Sequence, residues 1–178
     1  MKASTQRIAV LAVGIALFVA LSLCLQVPVF ENYYLCLGYA VMAVYCWSFG
    51  AVSGTIVGAL GVVLYCLVIS GLRGMPGWTL GNVVIGVILG LVLSKTKTMK
   101  NAAWKTVLNS IAIIGSVALG ILVVKSLTEC LLYAQPMVVR MGKNMSAFIA
   151  DTVMLLASLP ICMALDGRIK KMFPQLIK

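Results

Sequence analysis

A chain of 178 residues that is 62% hydrophobic and 10% charged, with a mean hydropathy of +1.11, does not have water as its main solvent; soluble domains carry about 25% charged residues. Its net charge of +10 would suggest nucleic acid in a soluble protein. Here the basic residues fill the gaps between apolar runs without aromatic interleaving, which argues against a nucleic-acid surface and for membrane topology. At roughly 20 apolar residues per helical crossing, the chain holds at most six or seven spans and no separate soluble domain.

The first expected span, Ile8–Gln26, is too long for a signal-peptide core and lacks a small-residue cleavage site, so it reads as a retained helix. It carries Ala12, Ala16 and Ala20 at four-residue steps, with Ala9 nearby. That spacing sets methyl-sized side chains in one stripe, where another helix backbone can come close. The stripe serves either packing inside the bundle or docking of a separate membrane subunit.

A polar and aromatic loop, Val27–Tyr33, leads to the second span, Tyr34–Phe49, and the third, Ala51–Gly71, follows after a break around Trp47–Gly50. Gly50, Gly54 and Gly58 repeat the four-residue step, with Gly61 just beyond. Gly71–Gly77 is a strong turn signal. The fourth span, Thr79–Ser94, contains Gly86 and Gly90, and carries Asn82 one turn past Trp78. A basic loop, Lys95–Asn101, precedes the fifth span, Thr106–Leu127. The longest connection is expected from Thr128 to Asn144, before a sixth span at Ser146–Leu165.

The chain is therefore expected to be all-α: a polytopic membrane protein, a single domain over 1–178 and one bundle of six transmembrane helices. With the N-terminus inside, ten lysines and arginines fall on the inner side (Lys2, Arg7, Lys95, Lys97, Lys100, Lys105, Arg168, Lys170, Lys171, Lys178). The other four (Arg73, Lys125, Arg140, Lys143) fall outside. The bias places both termini in the cytoplasm. Phe30, Tyr33, Tyr34, Trp78 and Tyr133 then gather at the outer face, as an interfacial aromatic belt or as a lid over a pocket.

Polar residues inside spans are costly in hydrocarbon and mark functional positions. Asp151 reads as the one carboxylate well inside an apolar run. Asn144, Phe148, Asp151 and Leu155 share a helical face, with about 10 Å between Asn144 and Asp151. Asn82 and Asp151 both fall in the outer half of the bilayer, under the aromatics. They form either a small-molecule pocket or an internal bond between helices four and six. Lys125, Arg73, Arg140 and Lys143 either draw in an anion or snorkel to headgroups.

Catalysis is not expected, because there is no histidine, no pair of neighbouring membrane carboxylates and no GxSxG. Gly90–Thr96 ends like a phosphate-binding loop but lacks its second glycine. The six cysteines are scattered singly, so neither a metal site nor a disulfide framework is expected, and no cofactor.

The stripe Ala12/Ala16/Ala20, the runs Leu35–Tyr39 and Phe49–Gly61, and the segment Trp78–Gly86 resemble the substrate-binding S components of energy-coupling factor (ECF) vitamin transporters, in particular the riboflavin-type group. The resemblance covers most of the chain. It implies a plasma-membrane protein that captures riboflavin or another vitamin in an outward pocket. The ligand is then delivered through a shared transmembrane T subunit and two cytoplasmic ATPases. It implies lids at Pro28–Tyr34, Arg73–Trp78 and Tyr133–Lys143, substrate contacts from Asn82, Trp78, Asn144, Phe148, Asp151, Tyr33 and Tyr34, and docking of the T subunit on Ala12, Ala16 and Ala20. A non-transporting six-helix membrane scaffold and a stand-alone carrier coupled through Asp151 remain open alternatives.

Overall fold

The computed structural model describes residues 3–24, 27–30, 33–69 and 71–176, with side chains from Thr5 onward except those of 27–30 and 33–35. The expected end of the first span at Gln26, and the basic residues Lys2 and Lys178, lie outside the described residues. Six helices run in chain order: α1 Ala3–Cys24, α2 Gly38–Phe49, α3 Ala51–Ile69, α4 Met75–Thr96, α5 Ala102–Tyr133 and α6 Met137–Met172. All but α2 are long and apolar enough to cross a membrane. The protein is a multi-pass membrane protein of the all-α class.

Three sequence expectations are corrected. The loop at Val27–Tyr33 contains a small antiparallel hairpin, β1 Val27–Phe30 and β2 Tyr33–Leu35, so the second helix starts at Gly38 rather than Tyr34. At 12 residues, α2 rises only about 18 Å. It is buried along most of its length, from Gly38 to Ser48, and packs against α1, α3, α4 and α6. It behaves as an inner helix surrounded by protein, so it does not need the length of a lipid-facing span.

The long loop expected at Thr128–Asn144 is almost entirely helix. Only Ala134–Pro136 separate α5 from α6, with Ala134 in the left-handed region (φ 51°) and Pro136 just ahead of the new helix. The polar residues that suggested a loop are buried partners of one another: Glu129 is 5% exposed and Asn144 is 2% exposed. The third correction concerns length, since α4, α5 and α6 extend beyond the apolar runs at both ends.

Lipid gives little drive for one apolar helix to seek another, so bundles depend on close packing. The glycines supply it. A methyl group built on Gly86 would stand 2.7 Å from Thr55 Cα on α3, and Gly90 faces the backbone of Ala51. On another side of α4, Gly81 and Gly120 of α5 meet directly. A methyl on either would lie 2.8 Å or 2.7 Å from the other's carbonyl oxygen. Gly50 makes the α2–α3 turn at φ 85°, a conformation that disfavours other residues. Phe18, Met42, Val57, Ile85, Leu89 and Leu155 fill the centre of the bundle.

The four cysteines Cys36, Cys46, Cys66 and Cys162 are buried, and all six are free thiols. The alanine stripe of α1 does not pack inside the bundle: Ala12, Ala16 and Ala20 are all exposed, while Gly14, Phe18 and Ser22 face inward. Substituting Gly86→Leu pushes a side chain into the α3 backbone and is expected to destabilise the bundle by about 1–3 kcal/mol, read as a lower melting temperature in detergent. Ala16→Leu on the open face is expected to leave melting unchanged.

Candidate functional site

Two polar clusters occupy the end of the bundle that carries the hairpin, the α3–α4 turn and the α5–α6 turn. The first is built from α2, α3, α4 and α6. The Trp78 Nε1–H donates to the Tyr39 hydroxyl (2.9 Å), which donates to Asn82 Oδ1 (2.8 Å). The Asn82 amide nitrogen donates in turn to the Gly58 carbonyl of α3 (3.1 Å). Tyr39 and Asn82 are fully buried. The Asp151 carboxyl group lies beside the same tyrosine hydroxyl and is 5% exposed. Tyr65 stacks edge-on against Trp78, with ring centroids 5.6 Å apart.

The second cluster joins α5 to α6. The Asn144 amide donates to Ser126 Oγ (3.0 Å) and to Glu129 Oε2 (3.1 Å), and Arg140 pairs with the same carboxylate at 3.5 Å. Lys125 connects the clusters, within electrostatic reach of both Glu129 and Asp151, and is 8% exposed. Tyr133 caps this side: its hydroxyl donates to the Arg73 carbonyl, and the Arg73 and Arg140 guanidiniums lie 5.1 Å and 5.3 Å from its ring centre.

Local geometry explains these placements. Pro76 in the first turn of α4 starts the helix just before Trp78, and Asn82 follows one turn later on the same face. Gly77 and Gly81 let this first part of α4 lie against Lys125 and Gly120. The stretch Ala118–Lys125 of α5 is π-helical, and Ser126 Oγ bonds back five residues to the Ile121 carbonyl (3.3 Å). Such segments concentrate at functional sites.

Among the expected site residues, Trp78, Asn82 and Asp151 converge on one point, and Asn144 belongs to the neighbouring cluster. Phe148 is half-buried and packs against the hydrophobic core. The backbones of Tyr33 and Tyr34 lie in β2, and their side chains are outside the described part.

Sequence reasoning missed Tyr39, Ser126 and Glu129. Tyr39 was hidden in an apolar run, and Glu129 was assigned to a loop. The expectation that Asp151 is the one carboxylate well inside a span is therefore corrected, because Glu129 is equally buried. Both carboxylates lie within electrostatic reach of Lys125. Lys125 neither snorkels nor stands open to a ligand at the surface.

Tyr39→Phe would leave the Trp78 N–H and the Asn82 oxygen without their shared partner. Each orphaned group costs about 1–3 kcal/mol, so a lower melting temperature in detergent is expected than for Tyr45→Phe, which loses only the bond from its hydroxyl to the Val10 carbonyl of α1.

No metal-holding group of three ligands occurs among the described residues. A cluster of aromatic rings, amides and compensated charges suits the binding of a small polar-aromatic molecule better than the transfer of its atoms. Residues 2–166 match the family described as the ECF-type riboflavin transporter, S component. That is a transporter component and not a class of enzyme. With the match running through all but the ends of the sequence, the chain belongs to the ECF-type riboflavin transporter S component family.

Proposed function

We propose that this protein captures a vitamin, riboflavin or a close relative in size and polarity, at the end of the bundle opposite its lysine-rich end. The convergence of Trp78, Tyr39, Asn82 and Asp151 from three helices carries this reading. A flat heteroaromatic ring offers two things to such a place: a face for Trp78 to stack on, and edge nitrogens and oxygens for Asn82 and Asp151 to address. Asn144, with Ser126 and Glu129, is suited to a hydroxylated side chain of the ligand. The excess of lysine and arginine at the other end supports an orientation with this site toward the outside of the plasma membrane.

Delivery then requires partners. In this reading energy comes from ATPase subunits joined through a T subunit. The exposed stripe Ala12, Ala16 and Ala20 is the surface we assign to the T subunit, because it is smooth, faces away from the bundle and lets a partner backbone approach closely.

Denaturing the detergent-purified protein and identifying released small molecules by mass spectrometry tests the ligand directly. A yellow preparation releasing a flavin is the expected outcome, and a protein that binds none of a vitamin panel would sink the proposal. Asn82→Ala is expected to weaken vitamin binding by about tenfold or more, the cost of one lost hydrogen bond in a desolvated site.

Ala16→Trp is expected to abolish co-purification with the T subunit and cellular uptake while leaving ligand affinity unchanged; normal association in that variant removes the docking assignment. Buried Asp151 beside Lys125 also fits a carrier working alone. That reading predicts uptake without any ATPase and its loss in Asp151→Asn.

A further inference from the structure

The two halves of α1 are held differently. Gly14, Phe18 and Ser22 are buried, with Phe18 against Gly61 of α3 and Gly38 of α2, and Ser22 Oγ 3.1 Å from Cys36 Sγ. From Thr5 to Val13 no residue is buried. The Tyr45 hydroxyl ties this half to α2 by donating to the Val10 carbonyl (2.7 Å). Arg7, Val10 and Leu11 border a cavity of about 470 Å³ at the lysine-rich end, so open space lies beside the helix there.

Another wall of that cavity comes from a distant part of the chain. Helix α6 gives way at Phe173 (φ −130°, ψ 56°), and Pro174 cannot continue it. The chain turns, with the Leu176 amide donating to the Phe173 carbonyl (3.1 Å). This turn brings two apolar side chains back onto the bundle. The Phe173 ring meets Phe49 edge-on with 6.1 Å between centroids, and Phe49 lies 5.2 Å from Tyr45. Leu176 lines the cavity and is 9% exposed. Two helical turns before Phe173, Asp166 pairs with Lys97 at the end of α4 (2.6 Å) and with Lys170 (2.7 Å). Lys97 also donates to the Trp47 carbonyl of α2 (3.3 Å). An ion pair and two apolar seats thus fasten residues 166–176 to α2 and α4. Residues 167–176 lie beyond the stretch matched to the family, so the match assigns them no role.

We propose that residues 166–176 form a strap that holds the first half of α1 in position beside this cavity. With Leu176 seated, the space next to Val10 and Leu11 is narrowed. Phe173 at the same time backs the Phe49–Tyr45 pair, whose tyrosine crosses α1 at Val10 and Gly14. With the strap lifted, the first half of α1 is free to swing about the packed half from Gly14 to Ser22. The motion breaks side-chain contacts only, since the helix keeps its own backbone hydrogen bonds. The alanine stripe straddles the two halves, with Ala12 on the loose one and Ala16 and Ala20 on the packed one. Resting on the docking surface assigned above, the strap therefore sets the angle at which α1 meets a T subunit.

Hydrogen–deuterium exchange of the full chain in lipid nanodiscs, resolved by peptide, reads local opening of each half of α1. Leu176→Ser is expected to speed exchange over residues 3–13 by about tenfold, the loss of one seated leucine, and to leave residues 14–24 unchanged. Asp166→Asn is expected to act in the same direction. Lys170→Gln, which keeps the pair with Lys97, is expected to have no effect. Unchanged exchange over residues 3–13 in both Leu176→Ser and Asp166→Asn would overturn the strap. So would an equal rise over all six helices, which would show general loosening.

Because exchange is read on the chain alone, its outcome is independent of the docking assignment. Co-purification with the T subunit is expected to fall in Leu176→Ser, while riboflavin affinity stays as in the unaltered chain. Faster exchange with undiminished co-purification would keep the strap and remove its effect on docking.

Discussion

The polar end of this protein depends on how closely α4 approaches α5. Gly81 and Gly120 place backbone against backbone, and Gly77 does the same beside Lys125. No larger residue at these points would allow Trp78 and Asn82 to stand over the π-helical stretch that carries Lys125. Hydrocarbon supplies no water to satisfy a misplaced amide or carboxylate. On the other side of α4, the contact of Gly86 with Thr55 and the hydrogen-bond chain from Trp78 through Tyr39 and Asn82 to Gly58 tie it to α3 and α2, and these are mutually dependent. If the helices separated, the donors would have nothing else to bond.

The same constraint divides the six helices by role. The short α2 is enclosed on its sides and contributes Tyr39 at one end and Trp47 and Ser48 at the other. The glycine faces of α4 hold it against α3 and α5, so those three helices form a stiff centre. By contrast, α1 packs only along the side bearing Gly14, Phe18 and Ser22, and presents its alanines to the membrane. The function proposed above, a binding subunit that meets a partner inside the bilayer, is suited by this combination of a rigid site and a smooth outer helix.

Much of this was legible in the amino-acid order, and the misses have physical causes. Asn82 and Asp151 stand out because each is a polar residue in a long apolar run. Tyr39 does not, since a tyrosine in such a run looks like any aromatic core residue until its hydroxyl is seen between an indole and an amide. Glu129 and Arg140 fall in the stretch expected to be a loop because their polarity, seen without partners, suggests water. Their partners come from two helices, and local averaging cannot register that pairing. The alanine stripe posed the opposite difficulty: its four-residue spacing specified a face but not what that face meets.

The sequence by itself determined the solvent, the helical class, the approximate number of spans and the end at which positive charge collects, because these follow from composition and from runs longer than any single contact. The family match rests on the sequence as well. Only the tertiary structure decided that α2 is an inner helix, that Lys125 lies within reach of two carboxylates, that the alanines face outward and that Trp47 and Ser48 line a cavity at the basic end. Those facts concern which helix face meets which. Side-chain periodicity describes one helix at a time, whereas the choice of partner is made by close packing and hydrogen bonding among all six.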